Sequence, residues 1–335
     1  MPKSFKILSL AGGGYRGLYT ATVLNELEIH IKEKDPHDCI ANYFDLITGT
    51  SIGGILALAL AYEIPTAKIV EVFSQQGKNI FKKQTYSGYG ITQAKYNSDN
   101  LKTILEEWFG EKLLGDLKHP VVIPAVNYNT GSPVTFKTAH HASFKRDWKF
   151  KIVDIALATS AAPTYFKRHA IENSEYIDGG IFANSPTLIG LHEAEIFFEK
   201  SINNVKILSI GTMSSRKMLN PKTDKKGGLT DWGECNPLRA ASNIIDITLS
   251  SQQLFMQQMV KHRIKENLIE IDEILTQSSS QYVGLDEVTI EAQQVLTSNA
   301  KESAKKALGT PVILNFLKEK AKKTQFFEGS HKIIP

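Results

Sequence analysis

The sequence predicts an α/β layered fold, because an apolar strand, a glycine turn and a helix follow one another twice near its start. Residues 5–10 form a short apolar run that ends at a glycine cluster, and residues 18–32 carry apolar side chains at helical spacing. Residues 44–48 form a second buried strand, which runs through Gly49 into the apolar helix 52–62. A layered sheet with helices packed on it is the economical arrangement for this order of elements.

The pattern of strands and helices continues to about residue 212 and then changes. Further strands are predicted at 121–126, 134–137, 175–177 and 205–210, and further helices at 152–159 and 187–200. A polar, basic stretch follows at 213–237, and helices are predicted at 238–263, 289–307 and 311–323. We therefore predict a catalytic core of residues 1–212 and a loop plus helical extension of residues 213–335, packed together as one structural domain.

Composition points to a cytoplasmic protein that meets a membrane from its inner face. The net charge of +4 is too small to indicate a nucleic-acid partner, although it favours an anionic membrane surface. Cys39 and Cys235 lie far apart, which fits a reducing compartment better than a disulfide framework. The start of the chain lacks the features of a signal peptide, and the apolar stretch 52–62 is about half the length of a membrane-spanning helix.

The segment Gly49-Thr50-Ser51-Ile52-Gly53 has the Gly-x-Ser-x-Gly pattern of a nucleophile elbow. This turn needs small residues around the serine, a strand before it and a helix after it, and the sequence predicts all three. The serine hydroxyl would then lie at a helix N-terminus, where the helix dipole favours a developing negative charge. The alternative is a glycine-rich turn that serves packing alone.

A second glycine cluster comprises Gly12, Gly13, Gly14 and Gly17, with Arg16 among them. A dinucleotide site would need an acidic residue at the end of the next strand, and that strand ends in the serine motif. A Walker loop would need Gly-Lys-Ser/Thr, and a leucine follows the last glycine. The third interpretation is an oxyanion hole built from bare backbone amides. Arg16 either braces this loop or meets a lipid phosphate, or it pairs with a structural carboxylate.

A third glycine motif, Asp178-Gly179-Gly180, follows a short predicted strand. Alone it would indicate a turn. Beside Ser51, an aspartate at a strand end could accept the serine proton, provided that its surroundings raise its proton affinity. No cluster of histidine, cysteine and acidic residues at ligand spacing accompanies these motifs, so no metal is predicted for the chemistry.

Four ordered segments resemble the patatin-like phospholipase family: residues 8–24 (LSLAGGGYRGLYTATVL), 44–61 (FDLITGTSIGGILALALA), 158–166 (ATSAAPTYF) and 176–186 (YIDGGIFANSP). The resemblance implies a three-layer α/β/α sandwich with a mostly parallel sheet, and hydrolysis of lipid acyl esters by a Ser-Asp dyad without histidine. By position it makes Ser51 the nucleophile and Asp178 the proton acceptor. The implied oxyanion hole and supporting residues are Gly12, Gly13, Gly14, Arg16, Gly17, Gly49, Gly53, Gly179 and Gly180.

The chain departs from the family pattern near these motifs. Ala11 stands where aspartate is common, Ser185 replaces the second asparagine of Asn-Asn-Pro, and Thr212-Met213 stands where a glycine is common. The chain looks like the bacterial, signal-free type. It also resembles phospholipase effectors of bacterial anti-phage defence, which implies activation by a cyclic dinucleotide and attack on phospholipids of the inner leaflet. The resemblance assigns no nucleotide-binding residues.

Two alternatives remain at this point. An α/β-hydrolase would use a triad of Ser51, Asp178 and either His192 or His262, although its elbow normally follows several strands. A non-catalytic storage or binding protein could keep the same fold. For substrate access, the candidate segments are an interfacial flap at 80–96, a gate at 213–237 and the helix at 244–259, whose apolar stripe would otherwise be ordinary core.

Overall fold

A mixed, mostly parallel sheet forms the centre of the protein. The computed structural model describes residues 3–85, 92–213, 226–233, 236, 240–275 and 282–333. Within these residues the sheet has eight strands: β1 (Phe5–Leu10), β2 (Leu46–Gly49), β3 (Val121–Asn127), β4 (Ser132–Lys137), β5 (His169–Ile171), β6 (Ser174–Asp178), β7 (Val205–Ile210) and β8 (Leu268–Ile271).

The strand order is β5-β6-β3-β2-β1-β7-β8, with β4 also paired to β3. The pairs β1–β2, β1–β7, β2–β3 and β7–β8 are parallel, whereas β4, β5 and β6 join by antiparallel pairing. The helices that accompany the sheet are α1 (Gly17–Lys32), α2 (Ile52–Ala61), α3 (Thr66–Ile80), α4 (Ser98–Phe109), α5 (Ile152–Thr159), α6 (Gly180–Ala183), α7 (Thr187–Ile196), α8 (Leu229–Trp232), α9 (Ala240–Ile264), α10 (Ile290–Leu308) and α11 (Pro311–Phe316).

Both faces of the sheet are covered by helices. Successive side chains of a strand point to opposite faces, and the two sides of β1 accordingly enter two separate hydrophobic clusters. Ile7 packs with Leu191 of α7 and Val260 of α9, whereas Leu8 joins the larger cluster that includes Leu24 of α1. The predicted three-layer α/β/α arrangement with a mostly parallel sheet is therefore confirmed.

Part of the C-terminal region belongs to the same sheet. β8 pairs in parallel with β7, and α10 packs against α1. The prediction of a purely helical extension missed β8, and the division at residue 212 stays a prediction. Most of the proposed gate at 213–237 lies outside the described residues.

Several predicted elements have the observed bounds, including the strands at 5–10 and 205–210 and the helix at 152–159. α3 and α4 were not predicted, and α7 and α11 end earlier than predicted. Among the described residues, no helix combines the length and apolar character that crossing a membrane requires.

Candidate active site

Ser51 lies in the sharp turn between β2 and α2. Its backbone has φ 55° and ψ −125°, a conformation that non-glycine residues rarely adopt outside strained functional turns. The neighbouring glycines make the turn feasible, because a Cβ atom at Gly49 would collide with the Gly53 carbonyl, and one at Gly53 with the Leu10 carbonyl. Ser51 thus has the strand–turn–helix context that a nucleophile elbow requires.

Asp178 lies at the end of β6, level with the elbow across β3. Thr48 of β2 lies opposite Val122 of β3, and Ala125 of β3 lies opposite Asp178. Ser51 follows Thr48 by three positions, and Ala125 follows Val122 by three positions. The register therefore brings the serine and the aspartate, which are far apart in the sequence, to the same edge of the sheet.

The Asp178 carboxyl group is buried, and desolvation raises its pKa to about 6. The nearby Ser51 hydroxyl and the Gly180 amide, which donates to Oδ1 at 2.7 Å, both favour the ionised carboxylate and offset this shift only in part. A carboxylate with this pKa is a stronger proton acceptor than an ordinary aspartate and is still mostly ionised at neutral pH.

The glycine loop between β1 and α1 has two backbone amides without an acceptor among the described residues. The Gly13 and Gly14 amides donate to no acceptor among the described residues, and both glycines line the cleft that contains Ser51. The Gly12 amide instead donates to the Asn184 carbonyl at 2.9 Å. The Gly12 amide is thus already engaged, and of the three predicted oxyanion donors only the Gly13 and Gly14 amides remain available; their role stays a prediction. Gly12 permits close approach, since an added Cβ would lie 3.2 Å from the Ser51 Cβ.

The remaining predicted glycines hold the elements of the site close together. A Cβ atom at Gly17 would collide with the side chain of Ile52 where α1 meets α2. One at Gly179 would collide with a backbone carbonyl of β3, and one at Gly180 would lie 2.8 Å from the Leu249 side chain of α9. These positions serve packing around the serine and the aspartate.

Arg16 is buried and braces the glycine loop from behind. Its Nε atom donates to the Gly13 carbonyl at 3.4 Å. Burial lowers the pKa of the guanidinium, and the negative charges of Asp246 and Asp272 partly offset this shift. Arg16 does not line the cleft, so its position agrees with loop bracing and pairing to structural carboxylates rather than with contact to a lipid phosphate.

A chain of polar side chains that the sequence patterns did not predict supports the same loop. Asn184 Nδ2 donates to Gln253 Oε1 at 3.1 Å, and Gln253 Nε2 donates to Asp272 Oδ2 at 3.4 Å. Asp272 Oδ1 accepts the Met213 amide at 2.9 Å. α9 and the residue after β8 are thereby connected to the glycine loop, at positions for which the sequence offers no local motif.

Thr159 at the end of α5 fixes the elbow from the other side. Its Oγ1 accepts the Ser51 amide at 3.1 Å and donates to the Pro124 carbonyl at 2.6 Å. This threonine belongs to the segment 158–166 that carries part of the family resemblance, so a sequence signal for it existed. Its role as a link between the elbow and β3 emerges only from the structure.

An apolar cleft opens beside Ser51. The side chains that line it come mainly from α2, α3, α4 and α9 and include Ile55, Phe73, Ile104, Trp108, Phe166 and Leu249. Asp178 is the one charged side chain among the described residues of this lining. The cleft therefore suits a ligand with a long apolar group, bound so that its reactive bond lies at Ser51.

The predicted flap at 80–96 borders the cleft in part. Ile80 and Phe81 line it, whereas residues 86–91 lie outside the described residues. After this gap, Lys95 and Tyr96 both bond to the carboxylate of Asp286. The residue before that aspartate, a leucine, also lines the cleft.

The histidines lie elsewhere. All nine are among the described residues, and none of them lines the cleft. His192 belongs to α7, where its ring lies against Phe197 with the centroids 6.2 Å apart, and His262 lies in the last turn of α9. The structure therefore offers no histidine for the triad of an α/β-hydrolase.

The fold and the cleft define a serine hydrolase of the α/β class with an apolar substrate. Comparison with protein families gives a narrower assignment: the family model described as patatin-like phospholipase matches residues 8–191. The chain belongs to this family and is a phospholipase, that is, a lipid acyl hydrolase.

Three bacterial relatives, each named cGAMP-activated phospholipase, are similar over most of the chain. The one from Pseudomonas aeruginosa is 39% identical and covers 99% of this chain and 97% of its own length. The one from Vibrio cholerae is 38% identical, covering 89% of this chain and 90% of its own. The one from Escherichia coli is 37% identical, covering 89% and 88%.

Proposed function

We propose that this phospholipase releases fatty acids from membrane phospholipids with Ser51 as nucleophile and Asp178 as base. The observation that supports this proposal best is a buried Asp178 carboxylate that senses the Ser51 hydroxyl, at an apolar cleft that Gly13 and Gly14 also line. The strained backbone of Ser51 is a second support, because such strain is typical of residues held for function.

In the first half-reaction, Ser51 Oγ attacks the acyl carbonyl carbon and transfers its proton to Asp178. The carbonyl oxygen becomes an oxyanion, which the Gly13 and Gly14 amides stabilise; losing one such donor would typically raise the barrier by about 3 kcal/mol. The tetrahedral intermediate then expels the lysophospholipid alkoxide, which takes the proton from Asp178. The products are an acyl-serine ester and a lysophospholipid.

In the second half-reaction, water attacks the acyl-serine carbonyl while Asp178 accepts one of its protons. Collapse of this intermediate breaks the acyl–Oγ bond, returns the proton to Ser51 and releases the fatty acid. Both half-reactions use groups that the chain itself supplies, so we propose that the chemistry needs no cofactor.

The apolar cleft is the proposed site of the acyl chain. The side chains of α3 and α4 that line the cleft are apolar and can contact methylene groups. Among the described residues, these two helices offer no charged partner in the cleft. Burial of each methylene would contribute about 0.8 kcal/mol. The enzyme is proposed to draw its substrate from the inner leaflet, acting on the cytoplasmic side as its composition suggests.

We further propose that a cyclic dinucleotide, cGAMP, activates the enzyme in anti-phage defence. The support is the name shared by the three relatives, which are 37–39% identical over most of both chains. The proposal assigns no residue to the nucleotide. It predicts low basal activity that rises when cGAMP is added, since an activator shifts the population toward the competent state.

The test is hydrolysis of mixed bacterial phospholipids by the purified protein, with and without cGAMP, followed by mass spectrometry of free fatty acids. We expect cGAMP-dependent release by the wild type and none by Ser51→Ala at equal protein concentration. Fatty acid release by Ser51→Ala would refute the nucleophile assignment. Full activity without nucleotide, unchanged by cGAMP, would refute the activation proposal and leave the hydrolase proposal standing.

A further inference from the structure

Helices α8 and α9 expose large apolar side chains beside the cleft. Their exposed fractions are far above those of core residues: Leu229 66%, Trp232 38%, Ile244 43%, Phe255 56% and Met259 39%. We call these five residues the apolar ridge. Single exposed apolar side chains are common, but a row of them next to a functional cleft is typical of an interaction surface.

The ridge has two parts, one on α9 and one on the neighbouring helix α8. Ile244, Phe255 and Met259 are separated by 11 and 4 positions, which places all three on one face of α9. The first two are about 17 Å apart along the helix axis. Asn243 donates to the Trp232 carbonyl at 2.8 Å, which ties α8 to the start of α9.

Two polar residues lie between Ile244 and Phe255 on this face of α9, and both are hydrogen-bonded within the helix. The Thr248 hydroxyl donates to the Ile244 carbonyl at 2.8 Å, and the Ser251 hydroxyl donates to the Ile247 carbonyl at 2.7 Å. Hydroxyl protons bonded back to the helix can leave water without becoming unpaired donors. This stretch of the face can therefore be buried against an apolar partner with little desolvation penalty.

A neighbouring face of the same helix, about 90° around the helix axis from the ridge, lines the cleft through Ile245 and Leu249. α9 thus carries part of the ridge and part of the cleft wall on adjoining faces. We infer that the apolar ridge is a docking surface for an anionic phospholipid bilayer, placed so that a docked lipid meets the cleft directly. This inference rests on the proposed function, because it takes the substrate of the cleft to be a membrane lipid.

Charge favours an anionic bilayer over a neutral partner. In the sequence, the stretch 214–226 that precedes α8 carries five cationic residues and one acidic residue: Arg216, Lys217, Lys222, Lys225 and Lys226 against Asp224. A basic stretch that precedes, in the sequence, helices with an exposed tryptophan and an exposed phenylalanine is typical of interfacial membrane binding. Each cation near an anionic surface adds attraction that salt weakens.

The test is sedimentation of the full chain with vesicles of phosphatidylethanolamine and phosphatidylglycerol. Ser51→Ala serves as the parent, so that the vesicles stay intact. We expect Ile244→Ser combined with Phe255→Ser to lower vesicle partitioning about tenfold, since two half-exposed apolar side chains are lost. Ile29→Ser, which removes an equally exposed isoleucine from α1, should not change it.

Hydrolysis of a water-soluble short-chain ester by otherwise wild-type protein separates this inference from the proposed function. The double variant should keep this activity and lose hydrolysis of vesicles. Undiminished vesicle binding by the double variant would overturn the inference. So would conversion of a wild-type dimer to monomers with vesicle binding unaltered, because the ridge would then be a subunit contact. Loss of soluble-ester hydrolysis in Ser51→Ala bears on the nucleophile alone.

A second measurement avoids any folding defect of the double variant. Adding anionic vesicles to the wild type should shift tryptophan fluorescence to the blue, because Trp232 leaves water for the interface. The shift should disappear in Trp232→Phe, which keeps an apolar ring at this position. It should also weaken with phosphatidylcholine vesicles and at high salt. A shift that persists in Trp232→Phe would contradict docking through the ridge.

Discussion

The serine elbow (residues 49–53) and the glycine loop (residues 12–14) meet at one cleft but are held in place differently. The elbow is fixed mainly by close backbone packing, because Gly49 lies against Gly53 and Gly53 against the Leu10 carbonyl, and Thr159 adds one side-chain hydrogen bond to the Ser51 amide. The glycine loop depends on distant segments. Its carbonyls accept bonds from Thr212 at 3.1 Å and from Arg16, and the next amide, that of Tyr15, donates to the Leu285 carbonyl at 2.7 Å.

The comparison separates two contributions to the proposed chemistry. The nucleophile is positioned by local sterics that the sequence motif itself carries. The oxyanion donors are positioned by contacts with the C-terminal region, through Gln253, Asp272 and Leu285. We therefore expect changes in the C-terminal region to alter transition-state stabilisation and to leave the serine turn intact.

The largest effect on activity should come from Asp178→Asn. The amide keeps an oxygen for the Gly180 hydrogen bond but cannot accept the serine proton, so kcat/KM on a soluble ester should fall by about 10²–10⁴-fold. In the wild type, the acidic limb of the kcat/KM profile should have a midpoint near pH 6, where burial has moved the Asp178 pKa. A profile that stays flat down to pH 5 would contradict the assignment of the base.

The same variant should also be more stable than the wild type at neutral pH. The Asp178 pKa of about 6 lies above the ordinary 3.8, so the folded protein holds a proton that the unfolded chain releases between these values. Wild-type stability therefore falls as pH rises from about 4 to 6, by on the order of 1–3 kcal/mol. Thermal unfolding should place Asp178→Asn above the wild type at pH 8, with the gap narrowing toward pH 4.

Gly53→Ala should destabilise the fold, and this tests whether close backbone packing holds the serine elbow. The new methyl group would collide with the Leu10 carbonyl in the centre of the sheet, and backbone there cannot move cheaply. We expect a loss of about 3 kcal/mol in the free energy of unfolding, measured by denaturant titration. Gly228→Ala adds the same methyl group with no atom within 4 Å of it and at φ −85°, so it should leave the stability nearly unchanged. Equal stability of Gly53→Ala and the wild type would show that the turn is less constrained than proposed.

The residues that lie in glycine motifs could be predicted from the sequence, whereas the residues that support the site from distant parts of the chain could not. Ser51 and Asp178 lie in short motifs whose glycines are needed at fixed offsets, so their placement follows from backbone sterics. Gln253 and Asp272 act through hydrogen bonds to residues far away in the chain, and no periodicity or spacing in the sequence marks them. The hydrogen bond from the Gly12 amide to the Asn184 carbonyl also joins distant segments, and no sequence pattern marks it.

Some fold elements were missed although a signal existed. In α4, Leu101, Ile104, Leu105 and Trp108 have the spacing of an amphipathic helix, and all four are buried. β8 differs, because its four residues follow a 25-residue helix without a clear breaker. Its strand conformation comes from pairing with β7 rather than from local preference.

Asp272→Asn should lower activity moderately, and this tests whether contacts from the C-terminal region position the glycine loop. It removes the charge beside Arg16 and weakens the contacts to Gln253 and the Met213 amide. We expect kcat on a soluble ester to fall about tenfold with KM nearly unchanged, because the oxyanion donors lose alignment. Glu273→Gln makes the same charge change one residue later, where the side chain pairs with Lys306, and should leave kcat unaltered. A rise in KM alone would contradict a role in oxyanion stabilisation.

The smallest effect should come from His192→Ala and His262→Ala, made separately. Neither side chain reaches the cleft, and a Ser-Asp dyad assigns all proton transfer to Asp178. Both variants should therefore keep wild-type kcat/KM on a soluble ester, whereas a triad histidine would lose orders of magnitude. A large loss in either one, with unfolding transitions unchanged, would mean that the proton passes through a third region of the molecule. The two-part division of the site into elbow and glycine loop would then be incomplete.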